Sequence, residues 1–89
     1  MEIIHDKPER TFYVEVEGVR ARLEYGLRDG VLEVLHTIVP GKIGGRGIAG
    51  ALVSAAYDYA QSEHLRFKAT CSYAQMWLKR YQEQHNNPL

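Results

Sequence analysis

The chain has 89 residues, and its 11 Lys and Arg are balanced by 11 Asp and Glu. This length predicts a single domain, residues 1–89, built on one hydrophobic core. The even charge argues against nucleic-acid binding, and no apolar run approaches the roughly 18 residues of a membrane span. A lone cysteine, Cys71, and the absence of a secretion signal lead us to expect a cytoplasmic protein that is a monomer or a weak homodimer.

The first half of the chain predicts three strands. Thr11 to Glu17 alternates apolar and polar residues, and after a turn at Gly18 the alternation resumes over Val19 to Leu27, which favours a hairpin. A second turn at Asp29 and Gly30 leads into a third strand, residues 31–39. Apolar residues on both of its faces indicate a strand in the interior of the sheet.

The second half predicts a helix, a strand and a helix. Apolar residues recur at helical spacing from Gly47 to His64, and Leu65 to Thr70 is short enough for a fourth strand. A second amphipathic helix, from Tyr73 to Tyr81, precedes a polar tail, residues 84–89, that we expect to fray. The order β-β-β-α-β-α predicts an α+β fold, an antiparallel meander with two helices packed on it.

Five of the eight glycines lie between the third strand and the first helix, at Gly41, Gly44, Gly45, Gly47 and Gly50. Bare backbone at a helix N-terminus presents unpaired N–H groups in the field of the helix dipole, which is an anion-binding arrangement. The alternative is a flexible loop with a tight helix–strand contact. The spacings of nucleotide triphosphatase and dinucleotide-binding loops are absent.

The segment "VPGKIGGRGIA" resembles the pyrophosphate-binding loop of the GNAT acetyltransferase superfamily, Arg/Gln-x-x-Gly-x-Gly/Ala. Gly47 and Ala49 match its last two fixed positions, whereas Gly44 replaces the usual Arg or Gln. "HT" and "VP" ahead of the loop, and "CSY" at residues 71–73, are similar to the motifs of very small GNAT-like proteins. The resemblance covers residues 31 to 81 and implies a minimal GNAT domain with a splay between strands three and four.

The resemblance implies acetyl-CoA or coenzyme A as the cofactor. The pyrophosphate would lie on residues 44–49, with cationic help from neighbouring side chains, and the pantetheine arm would follow the end of strand three. The expected cofactor-binding residues are Thr37, Ile38, Val39, Lys42, Gly44, Gly45, Arg46, Gly47, Ile48, Ala49 and Ser72.

Three residues are candidates for the chemistry. Cys71 at the start of the last helix is placed to take the acetyl group or to contact the thioester, and a buried apolar cysteine is the alternative. His36 is either a general base for the acceptor amine or a hydrogen-bonded structural histidine, since Val34 and Ile38 beside it look buried. The resemblance makes Tyr73 the expected proton donor to the leaving thiolate. The other histidines have no ligand spacing, so we expect no metal site.

The sequence leaves three candidate functions to be tested. The first is transfer of acetyl from acetyl-CoA to a primary amine, either on a small molecule or on a protein lysine or N-terminus. The second is a module that holds CoA or acyl-CoA without efficient turnover. The third is an interaction domain whose glycine loop binds nothing.

Overall fold

A computed structural model describes residues 1–85 as one five-stranded sheet and two helices. The chain order is β-β-β-β-α-β-α, with a 3₁₀ turn at Gly41–Ile43 between the fourth strand and the first helix. The elements are β1 (Ile4–Asp6), β2 (Thr11–Val16), β3 (Val19–Arg28), β4 (Val31–Ile38), α1 (Ile48–Ser62), β5 (Arg66–Ala69) and α2 (Ser72–His85).

The predicted elements are confirmed, with two differences in the sheet. The three-residue strand β1 escaped prediction because it is too short to show alternation, and it pairs antiparallel with β2. The last strand, β5, is parallel to its neighbour β4, so the sheet is mixed and not a pure meander. The cause is α1, which carries the chain back along the sheet so that β5 starts at the same end as β4.

Both hairpin turns have the backbone that the sequence indicates. Glu17 and Gly18 have φ of 53° and 76°, and Asp29 and Gly30 have φ of 54° and 76°. Two consecutive left-handed residues form the turn that matches the twist of the flanking strands. This geometry sets the register of β2 on β3 and of β3 on β4.

A β-bulge divides β4 into two segments. Glu24 of β3 pairs with His36, but the next residue, Tyr25, pairs with Val34, so Leu35 is an extra residue without a cross-strand partner. Because a bulge breaks the two-residue alternation, His36 lies on the same sheet face as Glu33. In a strand without the bulge, residues three apart would face opposite ways.

Both helices cover one face of the sheet, which we call the inner face. It carries the core, and no polar side chain is buried there among the described residues. The largest fully buried side chains are Leu23, Leu32, Ile43, Leu52, Val14, Val34 and Val53. The second face, the outer face, has no helix on it within residues 1–85 and carries charged side chains in cross-strand pairs, such as Arg20 with Glu15 at 2.8 Å.

The strands β4 and β5 separate at Val34. Their pairing ends with Val34 and Ala69, and the Val34 carbonyl accepts from the amides of both Thr70 and Cys71, at 3.0 and 3.3 Å. From there β4 continues to Ile38, whereas the other chain turns into α2. The predicted splay between these two strands is confirmed at this point.

The second helix is longer than predicted. It runs from Ser72 to His85, so Gln84 and His85 of the expected tail are helical. Residues 86–89, the rest of that tail, lie outside the described residues. Neither helix within residues 1–85 combines the length and the apolar character that crossing a membrane requires.

Candidate functional site

The glycine loop is held between a buried anchor and a helix N-terminus. Ile43, which is 1% exposed, fixes the 3₁₀ turn in the core, and the Gly44 amide donates to the Gly41 carbonyl at 3.1 Å. Gly45 and Gly47 then take φ of 75° and 76°. Residues with a side chain rarely adopt this left-handed backbone, so the course of the loop depends on glycine at both positions.

The loop presents a run of amides with no acceptor. Gly47 is the N-cap of α1 and has no side chain to cap the helix. From Gly45 to Gly50, no backbone N–H has a hydrogen-bond acceptor among residues 1–85, and the intrahelical bonds begin with Ala51 donating to Gly47 at 3.1 Å. Six consecutive amides at the positive end of a helix dipole make an anion-binding surface.

These amides border an open cleft of about 260 Å³. Tyr73 from α2 forms its other wall, with its hydroxyl oxygen 3.2 Å from where a Cβ on Gly50 would stand. The structure brings Tyr73 together here with six of the predicted cofactor residues, and the complete lining is Val39, Gly44, Gly45, Gly47, Ile48, Ala49, Gly50 and Tyr73. Gly50 is not among the predicted cofactor residues, although a glycine within a helix costs about 1 kcal/mol relative to alanine and so indicates a close approach.

The two predicted cationic residues lie outside this cleft. Lys42 is exposed on the 3₁₀ turn. Arg46 donates from Nη1 to Glu17 Oε2 at 2.7 Å, which connects the glycine loop to the β2–β3 turn. The hydrogen bond, reinforced by the charge of the partner, lowers the pKa of the Glu17 carboxyl and raises the pKa of the Arg46 guanidinium.

Cys71 lies at the splay, immediately before α2. Its half-buried sulfur accepts from the Ala74 amide at 3.4 Å and lies 3.5 Å from Thr37 Oγ1. The thiol therefore occupies the N-cap position, where a Ser or Asp oxygen usually accepts the third amide of the helix. Thr37 faces Cys71 because it pairs with Leu23 and so shares the inner face.

Three predicted site residues lie elsewhere. His36 is exposed on the outer face, opposite Glu24, and therefore points to the other side of the sheet from Thr37. Ile38, paired with Arg22, is also on the outer face and is 38% exposed, so the expectation that it is buried is wrong. The bulge at Leu35 causes both outcomes. Ser72 is exposed at the first position of α2.

No group of three or more His, Cys, Asp or Glu side chains within residues 1–85 is arranged to hold a metal ion. The polar groups that converge at the cleft are backbone N–H donors and one phenol, and those at the splay are a thiol and a hydroxyl. Hard cations need oxygen ligands and zinc needs nitrogen or thiolate ligands, so this donor set suits an anion.

An amide-lined turn between a strand and a helix, beside a splayed sheet, defines a small α+β protein with an anion-binding loop. Residues 11–87 match the family model of the GCN5-related N-acetyltransferase. The chain belongs to this family.

Curated relatives and a solved structure support the same family membership. The chain is 37% identical to protein NATD1 of Gallus gallus over 84 residues, which cover 89% of this chain and 74% of the relative. It is 39% identical to protein NATD1 of Homo sapiens over 80 residues, 84% of this chain and 69% of the relative. It is also similar to the NMR structure of a GCN5-like putative N-acetyltransferase from Staphylococcus aureus, with a TM-score of 0.72 and 28% identity over 92% of this chain and 81% of that one.

Proposed function

We propose that this protein binds acetyl-CoA and transfers its acetyl group to a primary amine. The observation that carries the proposal is the run of six amides, Gly45 to Gly50, without an acceptor among the described residues. A pyrophosphate supplies several oxygens at the spacing of such amides and carries the charge that the helix dipole favours. Membership of the GCN5-related N-acetyltransferase family supports acetyl-CoA as the source of that pyrophosphate.

The splay between β4 and β5 indicates where the pantetheine arm of the cofactor would bind. Beyond Val34 the side of β4 that faces β5 has no strand partner, so its backbone groups are available to the amides of a pantetheine arm. A chain bound along residues 37–39 reaches from the cleft to Thr37. Because Thr37 Oγ1 lies 3.5 Å from the sulfur of Cys71, that route brings a thioester to the thiol.

Acetyl-CoA supplies an activated acetyl group, and this chain positions it. In a covalent route, the Cys71 sulfur would bond to the acetyl carbon as the bond between that carbon and the CoA sulfur breaks, and CoA would leave as its thiol. The acceptor nitrogen would then attack the acetyl-cysteine, lose a proton and release the Cys71 thiol. In a direct route, the acceptor nitrogen would attack the acetyl carbon of acetyl-CoA and CoA would leave, while Cys71 only caps α2. For both routes we propose Tyr73, whose side chain borders the cleft, as the proton donor to the departing CoA thiolate.

One observation favours a second candidate, a CoA-binding module without efficient turnover. Apart from Thr37, no side chain of residues 1–85 hydrogen-bonds to the Cys71 thiol, and His36 lies on the opposite face. A thiol without an adjacent base is a slow nucleophile at neutral pH. Binding of CoA is common to both candidates, and turnover separates them.

Calorimetric titration with CoA tests the anion site. We expect Gly47→Asp to abolish binding, since it places a carboxylate among the amides. Gly30→Asp is the matched control, because both glycines have φ of 76° and open space where a Cβ would stand. The two substitutions impose the same backbone strain, so any difference in CoA binding comes from the position of the carboxylate. The loop is not the CoA site if Gly47→Asp still binds CoA, or if both variants lose binding equally.

Replacing Cys71 by Ser and by Ala separates the two routes. Serine keeps a cap for the Ala74 amide but is a poor nucleophile, whereas alanine removes both functions. A covalent route predicts that both variants lose acetyl transfer and the acetyl-enzyme mass. A direct route predicts that the serine variant retains transfer, and a binding module predicts CoA binding without transfer in any variant.

A further inference from the structure

A second cavity in the described part of the chain lies on the outer face, away from the glycine loop. It is an open cleft of about 520 Å³ that crosses the sheet from the start of β2 to β5. Its floor is low because Gly26 of β3 has no side chain there. A Cβ on Gly26 would meet only Leu35 Cδ1, at 3.8 Å. The size is within the usual range of about 300–1,000 Å³ for ligand sites.

The rim of this cleft is cationic in a chain whose formal net charge is zero. Four of its charged side chains are basic, Arg10, Arg28, Arg66 and Lys68, and two are acidic, Asp29 and Glu33. Arg28 lies 3.8 Å from the Asp29 carboxylate, and Glu33 accepts a hydrogen bond from Thr70.

The other three cations of the rim are unpaired. Within residues 1–85, Arg10, Arg66 and Lys68 make no ion pair. The cations at the opposite end of this face differ, because Arg20 and Arg22 each bind a glutamate of the sheet. On the outer face of the described part of the chain, the basic side chains of the cleft are therefore the ones left without an acidic partner, apart from Arg28.

The cations are spread along a line. Arg10 precedes β2, and Lys68 is on β5, so the two are separated by three strand spacings, or roughly 14 Å at about 4.8 Å each. A single small anion reaches one end of such a row. An extended chain with repeated negative charges reaches all three cations, and a peptide rich in Asp or Glu has this chemistry.

We propose that this cleft docks an acidic segment of the peptide or protein whose amine is acetylated, an inference that rests on the proposed function. Glu33, on the wall of the cleft, is hydrogen-bonded to Thr70, the residue before Cys71. Lys68 is three residues from Cys71, which is roughly 10 Å of extended chain at about 3.3 Å per residue. Because the Cys71 thiol faces Thr37 on the inner face, the amine reaches it from this cleft through the splay between β4 and β5. The acidic residues of the acceptor therefore lie about three residues or more from its reacting amine.

Edge protection is the competing explanation for the basic residues of β5. Edge strands often carry Lys and Arg to prevent pairing with other chains. This explanation requires no ligand, and it predicts that loss of the charges causes self-association without changing any binding constant. Light scattering of each variant measures self-association directly.

Fluorescence anisotropy with labelled peptides tests the docking without CoA. One peptide has a free amine followed three residues later by a run of glutamates, and the second has glutamines there. We expect the glutamate peptide to bind more tightly, with the difference lost in about 0.5 M salt, where exposed charges are screened. The double variant Arg66→Gln/Lys68→Gln should raise its Kd about tenfold, if each exposed contact is worth roughly threefold.

Lys7→Gln/Arg20→Gln is the matched control, since it removes the same charge and neither residue lines the cleft. We expect its Kd to be unchanged. Gly26→Val, which fills the floor and leaves every charge in place, should also weaken binding. The proposal is overturned by equal Kd values for the two peptides, by equal losses in the two double variants, or by a single-stranded oligonucleotide that binds as tightly as the glutamate peptide.

Titration of the same variants with CoA separates this proposal from the proposed function. If CoA binds and the glutamate peptide does not, the docking cleft is wrong and the cofactor site stands. If the glutamate peptide binds and CoA does not, the cofactor site is wrong. An outer-face variant that loses peptide binding should keep the CoA affinity of the wild type, because the glycine loop is untouched.

Discussion

The two ends of the sheet are stabilised in different ways. At one end, bare backbone between β4 and α1 leaves six amides without an acceptor among the described residues. At the other end, aromatic rings fill the space under β1. The His5 ring is stacked on Phe12 at 3.9 Å and meets the Tyr59 ring edge-on at 4.4 Å, and its Nε2 lies 2.6 Å from the Tyr25 hydroxyl.

The difference separates binding from stability. At the ring-packed end, the aromatic side chains of the inner face pack on one another, and His5 and Tyr25 use polar atoms in a hydrogen bond between themselves. At the glycine-loop end, the amides without an acceptor within residues 1–85 are available to an anion. Tyr59 is 12 residues from Gly47 along α1, or roughly 18 Å at about 1.5 Å per residue, so a change at one end need not affect the other.

Truncating the core at each end should give the largest effects. Phe12 and Ile43 are 4% and 1% exposed, and replacing either by Ala should lower the free energy of unfolding by about 2–5 kcal/mol, as large-to-small core changes do. Urea denaturation measures this loss. We expect only Ile43→Ala to weaken CoA binding as well, because Ile43 anchors the loop. Equal effects of the two variants on CoA affinity would show that the ends are coupled.

Acid should destabilise the ring-packed end through His5. Burial, and then the charge of Lys7, lowers the pKa of His5 from its ordinary 6.5, against an opposing effect of Asp6. The unfolded chain therefore binds this proton more readily. The contribution to stability is fully present above pH 6.5 and is lost as the pH falls through the lowered pKa of the folded state.

Unfolding midpoints at pH 7.5 and pH 5 measure the contribution of His5. The control is His5→Gln, which removes the titration and should show a smaller loss between the two pH values. CoA binding by the folded protein should not follow this titration, since His5 is remote from the loop. If the wild type and His5→Gln lose the same stability, the ring-packed end is not the source of the acid sensitivity.

The inner face of the sheet and the amide-lined loop were both predictable from the sequence. Alternation along β2 and β3 identified the inner face, and the glycines at 45 and 47 identified the amide-lined loop. Both signals are local, because they depend on the side-chain direction in a strand and on the backbone freedom of glycine. The same alternation and helical spacing put Leu23, Tyr25 and Leu52 on the apolar faces of their elements, and all three are buried.

The bulge at Leu35 was not predictable in this way. An extra residue leaves no mark in a run as apolar as "VLEVLHTIV", yet it decides that His36 and Ile38 face outward. The pairing of Arg46 with Glu17, and the contact of Tyr73 with Gly50, also join residues more than 20 positions apart. Such contacts depend on how the elements are assembled, which local periodicity does not encode.

The contact between Gly50 and Tyr73 should give a smaller effect, measurable by a double-mutant cycle. In Gly50→Ala the gain in helix propensity, about 1 kcal/mol, is opposed by a Cβ 3.2 Å from the Tyr73 hydroxyl. We expect little net change in stability, but weaker CoA binding as Tyr73 moves. In the background Tyr73→Phe the clash is absent, so adding Gly50→Ala should stabilise the protein by about 1 kcal/mol. Additive free energies of unfolding would show that the two side chains do not interact.

The smallest expected effect comes from releasing Arg46. In Glu17→Gln the guanidinium loses its charged partner at 2.7 Å and becomes available to a bound phosphate. Because both side chains are exposed, we expect the Kd for CoA to fall by only about twofold, with a stronger dependence on salt. Glu15→Gln, which releases Arg20 on the outer face, is the matched control and should leave the Kd unchanged. A weaker CoA affinity in Glu17→Gln alone would mean that this ion pair orders the loop for its ligand and does not compete with it.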